Sequence, residues 1–186
     1  MKHITILVPS GEANNLSSIV GAYKILLRAN AYCQQKGRGE LLRIQLAGIS
    51  KTVEYYEGLF AVKPHIHISA ISSTDLIIIP SLNHNYQQAV AQNKVMMDWI
   101  ERQYKQGAEI ASICTGAFLL ASSGLLNGKS CSTHWAAAEN FRSLFPEVNL
   151  QADKLITDEN GIYTNGGAYS FLNLIIYLVE KYCDRE

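Results

Sequence analysis

Cys114 stands where a β-branched strand candidate, Glu109 to Ile113, gives way at once to small residues and a helix, in the run Ile113-Cys114-Thr115-Gly116-Ala117-Phe118-Leu119-Leu120-Ala121. This is the layout of a nucleophile elbow, a sharp strand-to-helix turn that exposes a Ser or Cys above a sheet, with Gly116 permitting close backbone packing. The free N–H groups at the helix start are expected to favour thiolate over thiol. His134, in Thr133-His134-Trp135, follows through one helix and one short strand. That path can return it to the same sheet edge, where its imidazole would hold a proton for Cys114. Plainer readings stand beside these: a small buried hydrophobe for Cys114, a capping or packing residue for His134. Cys33, Cys114, Cys131 and Cys183 are scattered without C-x-x-C spacing, which fits reduced, buried thiols. His65-Ile66-His67 puts two imidazoles on one strand face with no recognisable third ligand, so no metal site is expected. Gly37-Arg38-Gly39 lacks the rest of any phosphate-binding fingerprint and reads as a turn; no cofactor is expected.

An elbow of this kind needs a sheet behind it. Short β-branched runs alternate with segments of helical period, the pattern of an α/β fold with a mostly parallel sheet sandwiched by helices. Strands are expected at Ile4 to Val8, Leu42 to Ala47, Leu76 to Ile79 and Glu109 to Ile113, the Leu-Ile-Ile-Ile run being central and buried on both faces. Helices are expected from Leu16 to Gln35, Tyr86 to Gln106, Thr115 to Ser122, His134 to Leu144 and Ala168 to Cys183. Asn14 and Asn15 can cap the first, and Gly37 and Gly107 can end the first two in the left-handed conformation. Asp158-Glu159-Asn160-Gly161 reads as a turn joining Lys154 to Thr157 and Ile162 to Asn165 in a peripheral hairpin or strand pair. The stretch Phe171 to Val179 is apolar on nearly all sides and suits a helix buried against the sheet more than one at a subunit contact.

The 186 residues, 48% hydrophobic and 17% charged, suffice for one domain around a single core. Sixteen basic residues balance 16 acidic ones, so the Lys/Arg excess typical of nucleic-acid or anionic-membrane binding is missing. Apolar runs fall below the ~18 residues that span a bilayer, and Met1 to Pro9 carries no cleavage-type signal; a cytoplasmic location is expected.

Three segments together, Ile113 to Ala121, Gly124-Leu125-Leu126-Asn127-Gly128-Lys129 and Thr133-His134-Trp135, resemble the ThiJ/PfpI superfamily. Its fold is flavodoxin-like, of the class I glutamine amidotransferase type. More narrowly the chain resembles the N-terminal domain of AraC-type transcriptional regulators, and next the isocyanide hydratases, from Ile4 through Val179. The resemblance implies a reactive cysteine at Cys114 with His134 nearby. Active members also place an acid after the first strand to tune the thiol. Here Asn15 aligns with it, and an amide cannot exchange a proton near neutral pH; Glu12 takes the place if the loop is shifted. Active members continue from Pro80 into a Gly-Gly pair whose amides line an oxyanion site, whereas this chain continues Ser81-Leu82-Asn83-His84-Asn85. Those side chains are expected to narrow the backbone geometry and fill space above Cys114. Thr115 replaces the His of protease-like members, so peptidase activity is not expected.

Open α/β sheets bind ligands beyond the carboxyl ends of their strands. That rule gathers Asn15, Ser81, Asn83, His84, Cys114, Thr115, Gly116, His134, Asn165, Gly166 and Gly167 into an expected small-molecule site, with Cys114 and His134 the candidates for chemistry. The leading expectation is the ligand-sensing and dimerisation domain of an AraC-type regulator. It would be a homodimer with an unknown small-molecule effector and would reach DNA only through a C-terminal helix-turn-helix domain outside residues 1–186. The alternatives are a stand-alone cysteine enzyme acting on an isocyanide, glyoxal or amide, and an oxidation sensor. Residues Val179 to Glu186 stop within or just after a long helix beyond which related domains continue, so a fragment of a longer chain is expected.

Overall fold

A computed structural model describes residues 1–11, 14–167 and 170–183. In chain order it forms β1 (Lys2–Val8), α1 (Leu16–Gln35), β2 (Leu42–Gly48), a small hairpin of β3 (Val53–Tyr55) and β4 (Phe60–Val62), β5 (Ile66–His67), β6 (Leu76–Ile79), α2 (Tyr86–Gln92) and α3 (Lys94–Lys105). There follow β7 (Glu109–Ser112), α4 (Ala117–Ser122), β8 (Ser130–Cys131), α5 (Ala138–Leu144), β9 (Asn149–Leu150), β10 (Ile156–Glu159), β11 (Ile162–Asn165) and α6 (Phe171–Cys183).

Seven strands make one sheet in the order β10-β11-β7-β6-β1-β2-β5, parallel throughout except where β10 runs against β11. The all-apolar β6 lies at its centre, fully buried between β1 and β7. Alternate residues of β6 feed two cores. Ile77 and Ile79 join Trp99, Phe118 and Phe141 under α3, α4 and α5, while Leu76 and Ile78 join Ile19, Leu26, Leu174 and Leu178 under α1 and α6. The expected helix-covered α/β sandwich is the fold, and its parallel strands end together at the edge where Cys114 sits.

Several local expectations need correction. The helix expected from Tyr86 to Gln106 is two helices meeting at Asn93. That buried side chain accepts from the Ser10 N–H at 2.7 Å and donates to the carbonyls of Ser10 and Ala89, competing with the helical ladder. Only Asn15 caps α1, accepting from the Ser18 N–H; Asn14 instead donates to the Pro9 and Gly11 carbonyls and accepts from the Tyr55 hydroxyl. The late hairpin turns on Asn160-Gly161, with φ of 54° and 75°, so Asp158 and Glu159 are strand residues. The expected strand pair forms, with β10 at the edge of the sheet, while β11 is buried throughout and joins the pair to the sheet by pairing in parallel with β7. Neither Thr115 nor His134 lies in the helix expected of it: Thr115 sits in the tight turn Cys114–Gly116 before α4, and His134 caps the tight turn Trp135–Ala137 before α5. Ala168, the expected start of the last helix, lies outside the described residues, and α6 runs from Phe171. Among the described residues no helix is long and apolar enough to cross a membrane.

Candidate functional site

Cys114 has φ of +51°, a conformation an L-residue adopts only when its surroundings impose it. Four contacts do so. Ile113 N–H bonds the Ile79 carbonyl, prolonging β7; the Cys114 N–H donates to Asn165 Oδ1 at 2.9 Å; and the Cys114 carbonyl accepts from the Thr133 hydroxyl at 3.1 Å. Gly116 then packs so closely on the strand end that a Cβ there would stand 2.6 Å from the Pro80 carbonyl oxygen. Asn165 is fully buried, and its Nδ2 donates to Ser170 Oγ at 2.7 Å, fastening the elbow to the segment entering α6.

Over the elbow lies a cavity of about 380 Å³. Of the residues expected there, Cys114, Thr115, Asn15, Ser81, Asn83, His84 and His134 line it, whereas Gly116, Asn165, Gly166 and Gly167 are not among the lining residues. A Cβ on Gly166 would meet Ser132 Oγ at 2.6 Å, so that glycine serves packing. Ser17, Ser18, Tyr86, Ala136, Ala137 and Phe171 also line it without having been singled out by the sequence, together with Leu82 and Ile113; Tyr86 and Phe171 begin helices, where an aromatic reads as ordinary core.

The segment after β6 does not fill the space above Cys114 as expected. Leu82 turns into the core, 4% exposed, and its N–H and carbonyl are clamped by the Thr115 hydroxyl at 2.9 and 2.7 Å. The side chain at the position of the protease-like His is thus a brace that ties the elbow to the segment after β6.

The electrostatics also reverse an expectation. Burial pushes the Cys114 thiol up from its ordinary value; the Thr115 amide, the Ser81 and Thr115 hydroxyls and the Gly167 amide pull the other way without overcoming it. The following helix is under two turns long, too short a dipole to offset that desolvation. Iodoacetamide should therefore alkylate Cys114 with a pH midpoint above that of an exposed cysteine, read by intact mass against the Cys114→Ser chain. A midpoint below 8 would contradict the burial argument.

His134 lies on the same wall but forms no dyad. It caps its own turn, Nδ1 accepting from the Ala136 N–H at 3.2 Å, and its ring stacks on Trp135; among the described residues no hydrogen bond joins it to Cys114. Asn15, at the family's acid position, spends Oδ1 on the Ser18 N–H, and Glu12 lies outside the described residues. The His65-Ile66-His67 pair is spoken for, each Nδ1 accepting from a backbone amide, at Leu46 and Ser69. Among the described residues no group of three His, Cys, Asp or Glu could hold a metal ion.

Comparison with known proteins agrees with this architecture. The HTH-type transcriptional regulator GbdR of Pseudomonas aeruginosa is 26% identical over 171 residues, covering 92% of this chain and 44% of that protein. The isonitrile hydratase of Pseudomonas putida is 31% identical over 87 residues, 46% of this chain and 36% of that enzyme. The chain spans less than half the length of these curated relatives. A solved structure from Vibrio parahaemolyticus, assigned to the transcriptional regulators, superposes with a TM-score of 0.85 at 24% identity over 98% of this chain and 93% of that one, a likeness of fold. The model of the DJ-1/PfpI family matches residues 27–181, elbow included, and the chain belongs to that family.

Proposed function

We propose that these residues are the effector-sensing half of an AraC-type transcriptional regulator, acting as a homodimer in the cytoplasm and reaching DNA through a helix-turn-helix domain encoded downstream. The observation that carries this is the match to an HTH-type regulator over 92% of the chain but only 44% of that protein. The site supports it: an open cavity remains, while the groups that would make Cys114 a catalyst are weakened. Its thiol is raised by burial, His134 Nδ1 is committed to a backbone amide, and Asn15 stands at the acid position.

The test uses the full reading frame in a reporter strain. Ala137, 4% exposed on the cavity wall, is replaced by tryptophan to fill the space. Induction should vanish in a protein that still folds; intact induction would remove the sensing role. A second reading, a small-molecule hydratase or hydrolase, draws on the strained elbow and on the isonitrile hydratase match. It predicts turnover of isocyanides, amides or glyoxals that Cys114→Ala abolishes, and the sensor reading predicts none.

A further inference from the structure

The large apolar side chains left exposed among the described residues gather mostly on one side of the molecule. Val20 and Leu27, both 43% exposed, lie about two turns apart on the outer face of α1. Leu172 and Ile176 stand on the outer face of α6, which packs beside α1: a Cβ on Gly21 would meet the Phe171 ring at 2.8 Å. That outer face is why the stretch Phe171 to Val179 reads as apolar on nearly all sides, although only Phe171, Leu174, Ile175 and Leu178 within it are buried. The β3 and β4 hairpin completes the surface. Val53, Tyr55 and Val62 belong to the core under α1 and α6, and the Tyr55 hydroxyl donates to Asn14 Oδ1 at 2.6 Å, fastening the hairpin beside the start of α1. Its turn leaves Tyr56, Leu59 and Phe60 exposed. Tyr56 and Glu57 hold φ of 54° and 57°, a strained conformation for residues with side chains, and Tyr56 meets Phe60 edge-on at 6.0 Å. A partner that covers these side chains accounts for a turn strained in order to present them.

The charges around these side chains identify that partner. On its exposed side α1 carries Lys24 and Arg28, and it has no acidic residue anywhere. The hairpin carries Glu54 and Glu57, with Lys51 and Lys63 at its foot, outside the strands. None of Lys24, Arg28, Glu54 and Glu57 forms a hydrogen bond or ion pair with another described residue. Lys24 and Arg28 lie about 2.5 and 3.6 turns beyond the Asn15 cap, well down the helix from a hairpin held at its start. A surface that carries its own complement in this way fits a second copy of itself. About a two-fold axis the hairpin of each protomer meets α1 of the other, and both contacts form together. We propose that α1, α6 and the β3 and β4 hairpin form a two-fold homodimer interface. Its centre is apolar, and Glu54 and Glu57 of each hairpin pair with the partner subunit's Lys24 and Arg28. This rests on the homodimer reading above and names the surface and the pairing that make it.

The experiment follows the 186-residue chain by sedimentation velocity over a dilution series, and it should run at twice the 20.6 kDa of one protomer. Leu59→Ser removes the most exposed apolar side chain of the hairpin, at 74%, and should weaken association about tenfold while far-UV circular dichroism stays unchanged. Lys24→Glu with Arg28→Glu should weaken it about tenfold, as should Glu54→Lys with Glu57→Lys, because each reversal sets like charges together at both symmetric contacts. Combining the four substitutions in one chain, or mixing the two reversed chains, restores opposite signs at both contacts. Association should then return to within about threefold of the parent, which a general effect of surface substitution would not produce. Reversals without effect overturn the interface, as does a fourfold variant that fails to recover; with a parent chain that still associates, either result leaves the homodimer standing. A parent chain that stays monomeric throughout removes interface and homodimer alike, while the sensing role stands or falls with Ala137→Trp.

Discussion

Replacing Phe118 with alanine should cost about 3–5 kcal/mol, the usual range for emptying a fully buried aromatic site. Phe118 is 0% exposed at the centre of the core under α3, α4 and α5, stacked on Tyr86 at 4.0 Å and meeting Phe141 edge-on at 5.0 Å. Each aromatic contact adds about 0.5–1.5 kcal/mol beyond the area it buries. In a domain of this size each kcal/mol moves the melting temperature by roughly 2–4 °C, so a fall on the order of 10 °C is expected by calorimetry. The same substitution frees the ring that forms one side of the Cys114 cavity, so Cys114 should alkylate faster in the folded variant. A change under 1 kcal/mol with an unaltered alkylation rate would show that the core neither closes around Phe118 nor supports the cavity through Tyr86.

Much of this arrangement is legible in the sequence where one physical signal dominates. The bounds of α1 follow from its Asn15 cap and the Gly37 exit, and β6 follows from four consecutive branched or aliphatic residues that only a doubly covered strand can bury. The elbow is legible because a strand candidate gives way at Cys114 to small residues and a helix start, with no room for a longer turn. What stayed hidden depends on distant partners. Asn93 reads as one more polar position of a helix until Ser10 is seen to take both ends of its amide. The β3 and β4 hairpin turns through Tyr56, Glu57 and Gly58, all at positive φ, without the Asn-Gly pair that announces such turns. The thiol's ionisation was misjudged because local sequence shows the helix start beside Cys114 but not the burial that outweighs it. Tyr86 was missed because a helix-starting aromatic gives no sign of which cavity its hydroxyl borders.

Gly116→Ala should destabilise the domain by about 2–3 kcal/mol, although its backbone, at φ −56° and ψ −21°, suits any residue. Conformational freedom is therefore not what this glycine supplies, and in an ordinary helical position alanine would be the better residue by up to about 1 kcal/mol. Space reverses the sign. The added Cβ would stand 2.6 Å from the Pro80 carbonyl oxygen, 3.0 Å from that of Ile79 and 3.2 Å from the Pro80 carbonyl carbon, all backbone atoms of the strand end that cannot swing aside. Relief requires moving the elbow off β6, which strains the Ile113 to Ile79 bond and the clamp between Thr115 and Leu82. Gly107→Ala separates the two possible causes. There nothing lies within 4 Å of the added atom, but φ is +99°, so only the backbone penalty of roughly 1–2 kcal/mol applies, far from the cavity. Urea unfolding should rank Gly116→Ala below Gly107→Ala, and only the former should change the rate of Cys114 alkylation. If the order were reversed, or both variants alkylated like the parent chain, the cavity would not owe its shape to close packing of the elbow on β6.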